Sequence, residues 1–235
     1  MQILDRLPGE RGREYALRTL RHNIINNLLP PGSAVSEKEL AEQLQLSRTP
    51  VREAIIDLSK YGVVEVYPQR GSAVALIDYA MVDEAQFMRK TLECAVAESL
   101  ARGEIAQPGA LAQLHANLAM QEYYTAHVGQ DNAGELFALD NEFHRLLFVA
   151  GGKERVRSLM EGLEIHFDRV RNLYVQATKE AGDSGRRTLE DHRAIAAAIE
   201  ARDPAKAGRC MAEHLSHYRM DEAMLRATYP QYFKG

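Results

Sequence analysis

The chain has 235 residues and a formal net charge of −4 at pH 7, which leaves room for one small and one medium domain. The acidic balance excludes a basic nucleic-acid coat protein. No apolar run approaches the length of a membrane span and no signal-peptide core is found at the N-terminus, so a soluble cytoplasmic protein is expected. Cys94 and Cys210 are the two cysteines; their wide separation argues against a disulfide framework and fits a reducing compartment.

The first predicted helix follows a polar arm. Residues 1–11 are polar and contain Pro8-Gly9, which predicts a loose arm. Apolar residues then recur at helical spacing and end at Pro30-Pro31-Gly32. They are Tyr15, Leu17, Leu20, Ile24, Ile25 and Leu28. Residues 1–77 carry 10 Lys/Arg against 9 Asp/Glu, whereas the remainder is acidic, so we expect DNA to contact only the N-terminal part.

Two short helices separated by a tight turn are predicted next. Ser36 is a favourable N-cap, and Glu39 three residues later completes a capping box. Ser47 is predicted to cap a second helix, in which Pro50 is tolerated because the first turn has spare N–H groups. The apolar spacing of this helix directs Arg48, Thr49 and Arg52 outward. This combination predicts a helix-turn-helix whose second helix enters a DNA groove.

A hairpin is predicted after the helix-turn-helix. Gly62 ends the second helix, and two short apolar runs follow, Val63–Tyr67 and Ser72–Leu76. Pro68-Gln-Arg-Gly71 lies between them and forms the tip of the hairpin, with Arg70 available for a groove or a phosphate. The segment therefore predicts a two-stranded wing.

The rest of the chain is predicted to be helical. Residues 76–80 lack a flexible Gly/Ser composition, so we expect the two domains to be closely tied. Six helices with short connections are predicted from Tyr79 to Tyr229, which favours an antiparallel bundle. The predicted fold class is mostly α, with a winged helix-turn-helix domain at residues 1–77 and an all-α antiparallel helical bundle at residues 78–235.

A polar group interrupts the apolar faces of this bundle. Asp140 and His144 are four residues apart, so both side chains can reach one point. His192 and His214 lie on later helices beside apolar residues. Buried imidazoles need partners, and one Asp with three His can surround a divalent cation while leaving positions open for a ligand. From spacing alone, a metal-free hydrogen-bonded cluster remains the alternative.

The N-terminal pattern resembles a known family. The run Ser36-Glu-x3-Ala-Glu-x-Leu-x-Leu-Ser-Arg-Thr-Pro-Val-Arg-Glu-Ala54, with Pro68-x-Arg-Gly71, closely resembles the winged-helix domain of the GntR superfamily of bacterial transcription regulators. The resemblance implies operator contacts from Lys38, Ser47, Arg48, Thr49, Arg52, Gln69, Arg70 and Gly71. Lys38 departs from the arginine that some members carry, and lysine lacks the bidentate fork that reads guanine.

The C-terminal pattern resembles the effector domain of the same superfamily. Asp140-Asn-Glu-Phe-His144, Glu190-Asp-His192 and His214 resemble the FCD domain of the FadR branch, in its shorter, six-helix VanR-like version. The resemblance implies that Asp140, His144, His192 and His214 bind a divalent metal ion, most often zinc or nickel, and that the domain senses a small carboxylate or sugar acid. Arg89 is the first candidate for holding that carboxylate, Arg171 the second and Asn172 a weaker one; the two arginines could instead be salt-bridged surface residues.

These observations together predict a ligand-responsive transcription regulator, a repressor, that binds a pseudo-palindromic operator as a homodimer. Effector binding is expected to favour an arrangement with weaker DNA affinity. One alternative is a metal-dependent enzyme that activates water at the Asp/His group. Glu142 points away from Asp140 on the helix, however, and is a poor general base. The other alternative is a metal sensor, in which the cation itself is the signal.

Overall fold

The computed structural model describes residues 1–127, 133–178, 181–216 and 222–235. Its elements in chain order are α1 (Gly12–Ile25), β1 (Ala34–Val35), α2 (Glu37–Gln43), α3 (Arg48–Lys60), β2 (Val64–Tyr67), β3 (Gly71–Val74), α4 (Tyr79–Arg102), α5 (Pro108–Ala126), α6 (Ala133–Ala150), α7 (Glu154–Thr178), α8 (Ala181–Glu200), α9 (Pro204–His214) and α10 (Glu222–Thr228). The chain is mostly helical, as predicted, and its small sheet forms the wing.

Packing divides the chain into two compact units. The first contains Met1–Ala85, Gly162–Ala177 and Asp221–Gly235. The second contains Gln86–Glu161 and Thr178–Met220. The first unit thus includes the second half of α7 and the C-terminal residues, a grouping that the apolar spacing does not indicate. The boundary between residues 77 and 78 remains a prediction.

The helix-turn-helix is formed by α2 and α3. Ser36 caps α2, its side chain accepting from the backbone N–H of Glu39. Gln45 adopts a φ of 53°, a left-handed conformation that reverses the chain between the helices. The inward face of α3 is fully buried. Burial of each large aliphatic side chain on it contributes about 1.5–3 kcal/mol to stability. Its members are Val51, Ala54, Ile55 and Leu58. Hydrophobic burial therefore orients α3 and leaves its other face to solvent.

The wing is an antiparallel sheet with the strand order β1-β3-β2. Val64 pairs with Val74, and Tyr67 pairs with Gly71 beside the turn. The third strand, β1, pairs with the other edge of β3 and was not predicted. It contains two residues, too few to show the alternation that identifies a strand.

The N-terminal arm is held against α1, which corrects the prediction that it is loose. Arg18 binds the carboxylate of Glu10 through Nε and Nη2, at 2.7 and 2.8 Å. Asn23 is buried, and its amide exchanges two hydrogen bonds with the backbone of Gln2. A buried amide needs partners, and the arm supplies them.

The end of the described chain returns to the start of α4. Ile77 receives a hydrogen bond from the backbone N–H of Lys234 and donates one to the carbonyl of Tyr232. The Phe233 ring stacks on Tyr79 with 5.6 Å between centroids. Both the backbone and the rings therefore hold the C-terminus in the first unit.

The second unit has an apolar core to which α4, α5, α6, α8 and α9 contribute. Within it, α5 packs along α6, and α8 packs along α9. The largest buried side chains on α6 are Phe143, Leu146, Leu147 and Phe148. Several polar side chains are also buried in this unit: Gln86, Arg89, Glu93, Asn117, Gln121, Asp140, His144 and His192. These buried polar side chains interrupt the apolar core of the second unit and form a candidate functional site.

The predicted helices of the bundle are found in the structure with one difference at the last of them. The sixth predicted bundle helix corresponds to α9 and α10 in the structure, with residues 217–221 outside the described ranges. Among the described residues, none of the helices combines the length and the apolar character needed to cross a membrane.

Candidate functional site

Four potential metal ligands converge in the second unit. Asp140 and His144 come from α6, His192 from α8 and His214 from α9, and one ligand atom of each lies within 4.8 Å of the others. Nε2 of His214 is 3.1 Å from Nε2 of His144 and 3.3 Å from Nε2 of His192. Oδ1 of Asp140 is 3.6 Å from Nε2 of His192 and 3.9 Å from Nε2 of His144. The structure therefore brings together the four residues that the sequence singled out.

The packing of α6 directs these ligands inward. Asp140 and His144 are one helical turn apart, on a helix whose neighbouring side chains form the apolar core. The Phe143 ring stacks on His192, with centroids 3.8 Å apart and 9° between the planes. Packing therefore fixes the ring plane of His192.

A backbone carbonyl determines the tautomer of His192 through two amides. The carbonyl of Leu139 can only accept, so Asn117 Nδ2, 3.0 Å away, donates to it. Oδ1 of Asn117 then accepts from Gln121 Nε2 at 2.6 Å, which leaves Oε1 of Gln121 facing Nδ1 of His192 at 2.9 Å. An acceptor at Nδ1 requires the proton there, so Nε2 of His192 presents its lone pair to the centre.

Carboxylates occupy the same position on the other two imidazoles. Nδ1 of His144 lies against Oε2 of Glu93, and Nδ1 of His214 is 3.2 Å from Oδ2 of Asp191. A carboxylate beside Nδ1 favours the tautomer that carries its proton on that atom, which directs the Nε2 lone pair inward. Imidazole N–H groups held by carboxylates or amides are the usual support of metal-binding histidines.

A buried ion pair on α4 supports His144. Nε of Arg89 is 2.7 Å from Oε1 of Glu93, and both side chains are buried. Burial opposes ionisation of Glu93, but the charge of Arg89 and the contact with His144 outweigh it and lower the pKa of Glu93 to about 2. Burial lowers the pKa of His144 to about 4, although Glu93 opposes this shift. Burial also lowers the pKa of His192, with His214 adding to the effect. His144 and His192 are therefore neutral at pH 7, as metal ligands must be.

The charge of the group also fits a divalent cation. Glu93, Asp140 and Asp191 contribute three carboxylates, whereas Arg89 contributes one guanidinium. With neutral imidazoles these side chains carry two net negative charges. Three imidazole nitrogens and one carboxylate oxygen are donors suited to zinc or nickel. The residues present therefore fit a divalent metal ion.

The predicted effector residues lie in different parts of the chain. Arg89 is buried beside Glu93 in the second unit. Arg171 and Asn172 belong to the half of α7 that packs in the first unit. Nδ2 of Asn172 donates to the backbone carbonyl of Ile25 at 2.9 Å. Of the three, Arg89 is connected through Glu93 to the ligand cluster, and all three roles remain predictions.

The predicted DNA-facing residues are all exposed in the first unit. They are Lys38, Ser47, Arg48, Thr49, Arg52, Gln69, Arg70 and Gly71. Ser47 is the N-cap residue of α3, but its hydroxyl makes no capping hydrogen bond. Gln69 and Gly71 have φ values of 60° and 91°, which close the turn of the wing. The cations thus extend outward from the start of α3 and from the wing, as a DNA-binding surface requires.

Four supporting residues were not found by sequence reasoning. Glu93 lies one helical turn after Arg89, and Asp191 precedes His192. Their positions beside predicted site residues could therefore have identified both from the sequence. Asn117 and Gln121 had none, because an amide acquires its role only from the carbonyl and the imidazole that the fold places beside it.

Comparison with known proteins identifies two domains. Residues 14–74 match the gntR family of bacterial regulatory proteins, and residues 84–217 match the FCD domain. The HTH-type transcriptional repressor RspR of Escherichia coli (strain K12) is 30% identical over 226 residues, 96% of this chain and 95% of that protein. An uncharacterized HTH-type transcriptional regulator in an unstable DNA locus of Streptomyces ambofaciens is 32% identical over 225 residues, 96% of this chain and 91% of that protein.

Solved structures show the same fold. McbR/YncC of E. coli superposes with a TM-score of 0.76 at 23% identity, covering 94% of this chain and 99% of that chain. A putative transcriptional regulator GntR from Rhodococcus sp. RHA1 gives a TM-score of 0.70 at 22% identity, covering 92% and 98%. At this level of identity the similarity concerns the fold alone.

Proposed function

Because this chain belongs to the GntR family of bacterial regulatory proteins and carries an FCD domain, we propose that it is a repressor whose operator binding responds to a small carboxylate or sugar acid. The family comparisons make it a transcription regulator and not an enzyme, so the catalytic alternative is set aside. The repressor named among its relatives supports the sign of regulation. Operator binding would take place in the cytoplasm, where bacterial DNA lies.

The observation that carries the proposal is the convergence of four ligand atoms, three of which are imidazole Nε2 atoms whose rings have an oxygen beside Nδ1. Asp140, His144, His192 and His214 would hold a divalent cation, zinc or nickel. When bound, such a cation supplies a Lewis-acidic position for a carboxylate oxygen. The side chains behind the imidazoles keep the Nε2 lone pairs directed at one point, so the ligand set is preorganised.

The effector would be recognised next to this centre from α4. Arg89 provides a guanidinium whose orientation Glu93 fixes, and a guanidinium matches the geometry of a carboxylate. Gln86 lies one turn before Arg89; its Nε2 donates to the carbonyl of Leu215, and its buried Oε1 accepts no hydrogen bond from the described residues. That acceptor suits a hydroxyl, which favours a hydroxy acid or sugar acid over a simple carboxylate.

The DNA-reading face is assigned to the exposed residues of α2, α3 and the wing. Arg48, Thr49 and Arg52 would contact base edges and phosphates in the major groove, and Arg70 the adjacent backbone. We assign a homodimer because two recognition helices are needed to read a pseudo-palindromic operator.

The test is operator affinity as a function of effector. A duplex that the metal-loaded protein selects from a random-sequence pool is titrated in the presence of short carboxylates, hydroxy acids and sugar acids. At least one compound is expected to weaken binding by about fivefold or more, and hydroxylated acids should act at the lowest concentrations. If none of them changes the affinity, the proposed effector class is wrong.

Two comparisons sharpen this test. Arg89→Lys keeps the positive charge opposite Glu93 but loses the bidentate guanidinium. It should therefore weaken the effect of the effector on operator affinity without altering the operator affinity of the effector-free protein. Arg145→Lys, at an exposed arginine paired with Glu142, is the matched control and should respond normally.

If metal-stripped and reloaded proteins differ in operator affinity with no organic ligand present, the cation itself is the signal.

A further inference from the structure

The second half of α7 carries a row of hydrogen-bond donors directed at the winged helix-turn-helix. His166, Arg169 and Asn172 are spaced three residues apart, so they lie along one side of the helix. All three belong to the first unit, together with the DNA-reading elements. Each donates to a backbone carbonyl of a different element.

The three acceptors are placed where elements end. Nε2 of His166 is 2.6 Å from the carbonyl oxygen of Tyr61, the residue that follows α3. Nη2 of Arg169 donates at 2.6 Å to the carbonyl of Ala75, which follows β3. Asn172 donates to the carbonyl of Ile25, the last residue of α1. Carbonyls at the ends of helices lack a partner in the next turn, so α7 provides donors to the carbonyls at the ends of α3 and α1 and a further donor to the carbonyl after β3.

Burial strengthens these contacts. Arg169 is fully buried, and His166 is also buried. Burial lowers the pKa of Arg169 to about 10, which leaves the guanidinium protonated at neutral pH. A carbonyl oxygen can only accept, so the Nε2 atom of His166 carries the proton. The buried guanidinium of Arg169 and the buried imidazole of His166 thus each hydrogen-bond to a backbone oxygen.

A glycine brings α7 close to the end of the recognition helix. A Cβ atom at Gly162 would collide with the ring of Tyr61. Gly162 and His166 are one turn apart, so α7 contacts both the ring and the carbonyl of Tyr61. The exposed start of α3 lies about 20 Å from this contact, given 1.5 Å per residue over its length.

We propose that His166, Arg169 and Asn172 are positioning residues for operator binding: they hold the ends of α3, β3 and α1 so that the recognition helix and the wing are presented to DNA in one fixed arrangement. This inference rests on the operator binding proposed above. Because α7 is one helix from Glu154 to Thr178, the residues that hold the winged domain are covalently continuous with residues 154–161 of the second unit. The winged domain is therefore attached at three points through α7, besides its connection to α4.

The test compares a duplex that carries both half-sites with one that carries a single half-site. In His166→Leu the donor to Tyr61 is lost, while the exposed DNA-contacting residues are unchanged. Affinity for the full operator should fall by about tenfold or more, because the winged domains of the two subunits lose their fixed arrangement. Affinity for the single half-site should change by no more than about twofold.

Two further variants act as controls. His166→Gln retains an N–H donor and should recover most of the full-operator affinity. Ser158→Ala, at an exposed position on the same helix, should behave as wild type. If His166→Leu does not fold, as judged by its thermal unfolding transition, the half-buried Asn172→Leu takes its place.

The outcomes are separable. Folded His166→Leu with unchanged affinity for both duplexes, or with equal losses on both, would overturn the positioning role. If the wild-type chain selects no duplex, the proposed function fails instead. In that case the role in operator binding fails with it, and hydrogen exchange at residues 59–63 tests only the contact that holds the end of α3: faster exchange in His166→Leu than in Ser158→Ala supports that contact, and equal exchange rejects it.

Discussion

Gln121 determines which nitrogen of His192 faces the ligand cluster. Its amide cannot turn over, because Asn117 is itself fixed by a carbonyl that only accepts. The imidazole therefore presents Nε2 as a lone pair before any cation arrives. A residue outside the ligand set thus controls the donor atom of one of its members.

A substitution at this position should weaken metal binding without removing a ligand. Gln121→Leu leaves Nδ1 of His192 without an acceptor, and metal affinity should fall by about 10- to 100-fold. Gln121→Glu keeps an acceptor for Nδ1 of His192 but places an oxygen against Oδ1 of Asn117, so it should lose metal affinity by an intermediate amount. Competition with a chelating dye measures both, with the exposed Glu122→Gln as the control. Unchanged affinity in Gln121→Leu would show that the amide does not set the tautomer.

At the scale of elements, Asp57 joins α1 to α3. Its carboxylate accepts from Nε of Arg13 at 2.7 Å and from Nζ of Lys60 at 2.8 Å. Burial opposes its ionisation, but the two hydrogen bonds outweigh burial, so the pKa of Asp57 is lowered. A lowered carboxyl pKa adds stability above the unfolded-state pKa, and the contribution is lost as pH falls through the folded-state pKa.

Asp57→Asn should therefore destabilise the protein in a pH-dependent way. At pH 7 the free energy of unfolding should fall by about 1–3 kcal/mol, because two charge-assisted hydrogen bonds are weakened. The difference from wild type should begin to shrink below about pH 4, the unfolded-state pKa, and should vanish only once the pH falls below the lowered folded-state pKa of Asp57. Urea unfolding across this range measures it, with the exposed Glu42→Gln as the control. A difference that stays constant down to pH 3 would contradict the ionic contribution of Asp57.

The elements also show how far the sequence could be interpreted. The cap at Ser36 and the buried face of α3 depend on local spacing, and the structure confirms both. The convergence of Asp140 and His144 followed from their one-turn separation. The two residues of β1 carried no periodic signal. Of the donors on α7, Asn172 was predicted to bind the effector, whereas His166 and Arg169 were not predicted to have a role, because the acceptors of all three are backbone oxygens roughly 90 to 150 positions away in sequence.

The whole molecule is predicted to be a homodimer that reads two half-sites on one face of DNA. Their centres should be about 34–36 Å apart, one helical turn or a multiple of it. Inserting 5 base pairs between them turns one half-site by about half a turn, and affinity should fall by about 100-fold or more, toward that of a single half-site. Gel-shift titration measures this, with the same insertion outside the operator as the control. Equal affinity for both duplexes would contradict a fixed dimer.

Metal content decides whether the pocket is metal-centred, and elemental analysis of protein purified without chelator or affinity metal measures it. We predict about one zinc or nickel ion per chain, lost in His144→Ala and in His192→Ala. His115→Ala, at an exposed histidine paired with Glu200, should retain it. A metal-free wild-type chain that also fails to take up added zinc or nickel would contradict the metal-centred pocket, and the polar cluster would then be metal-free.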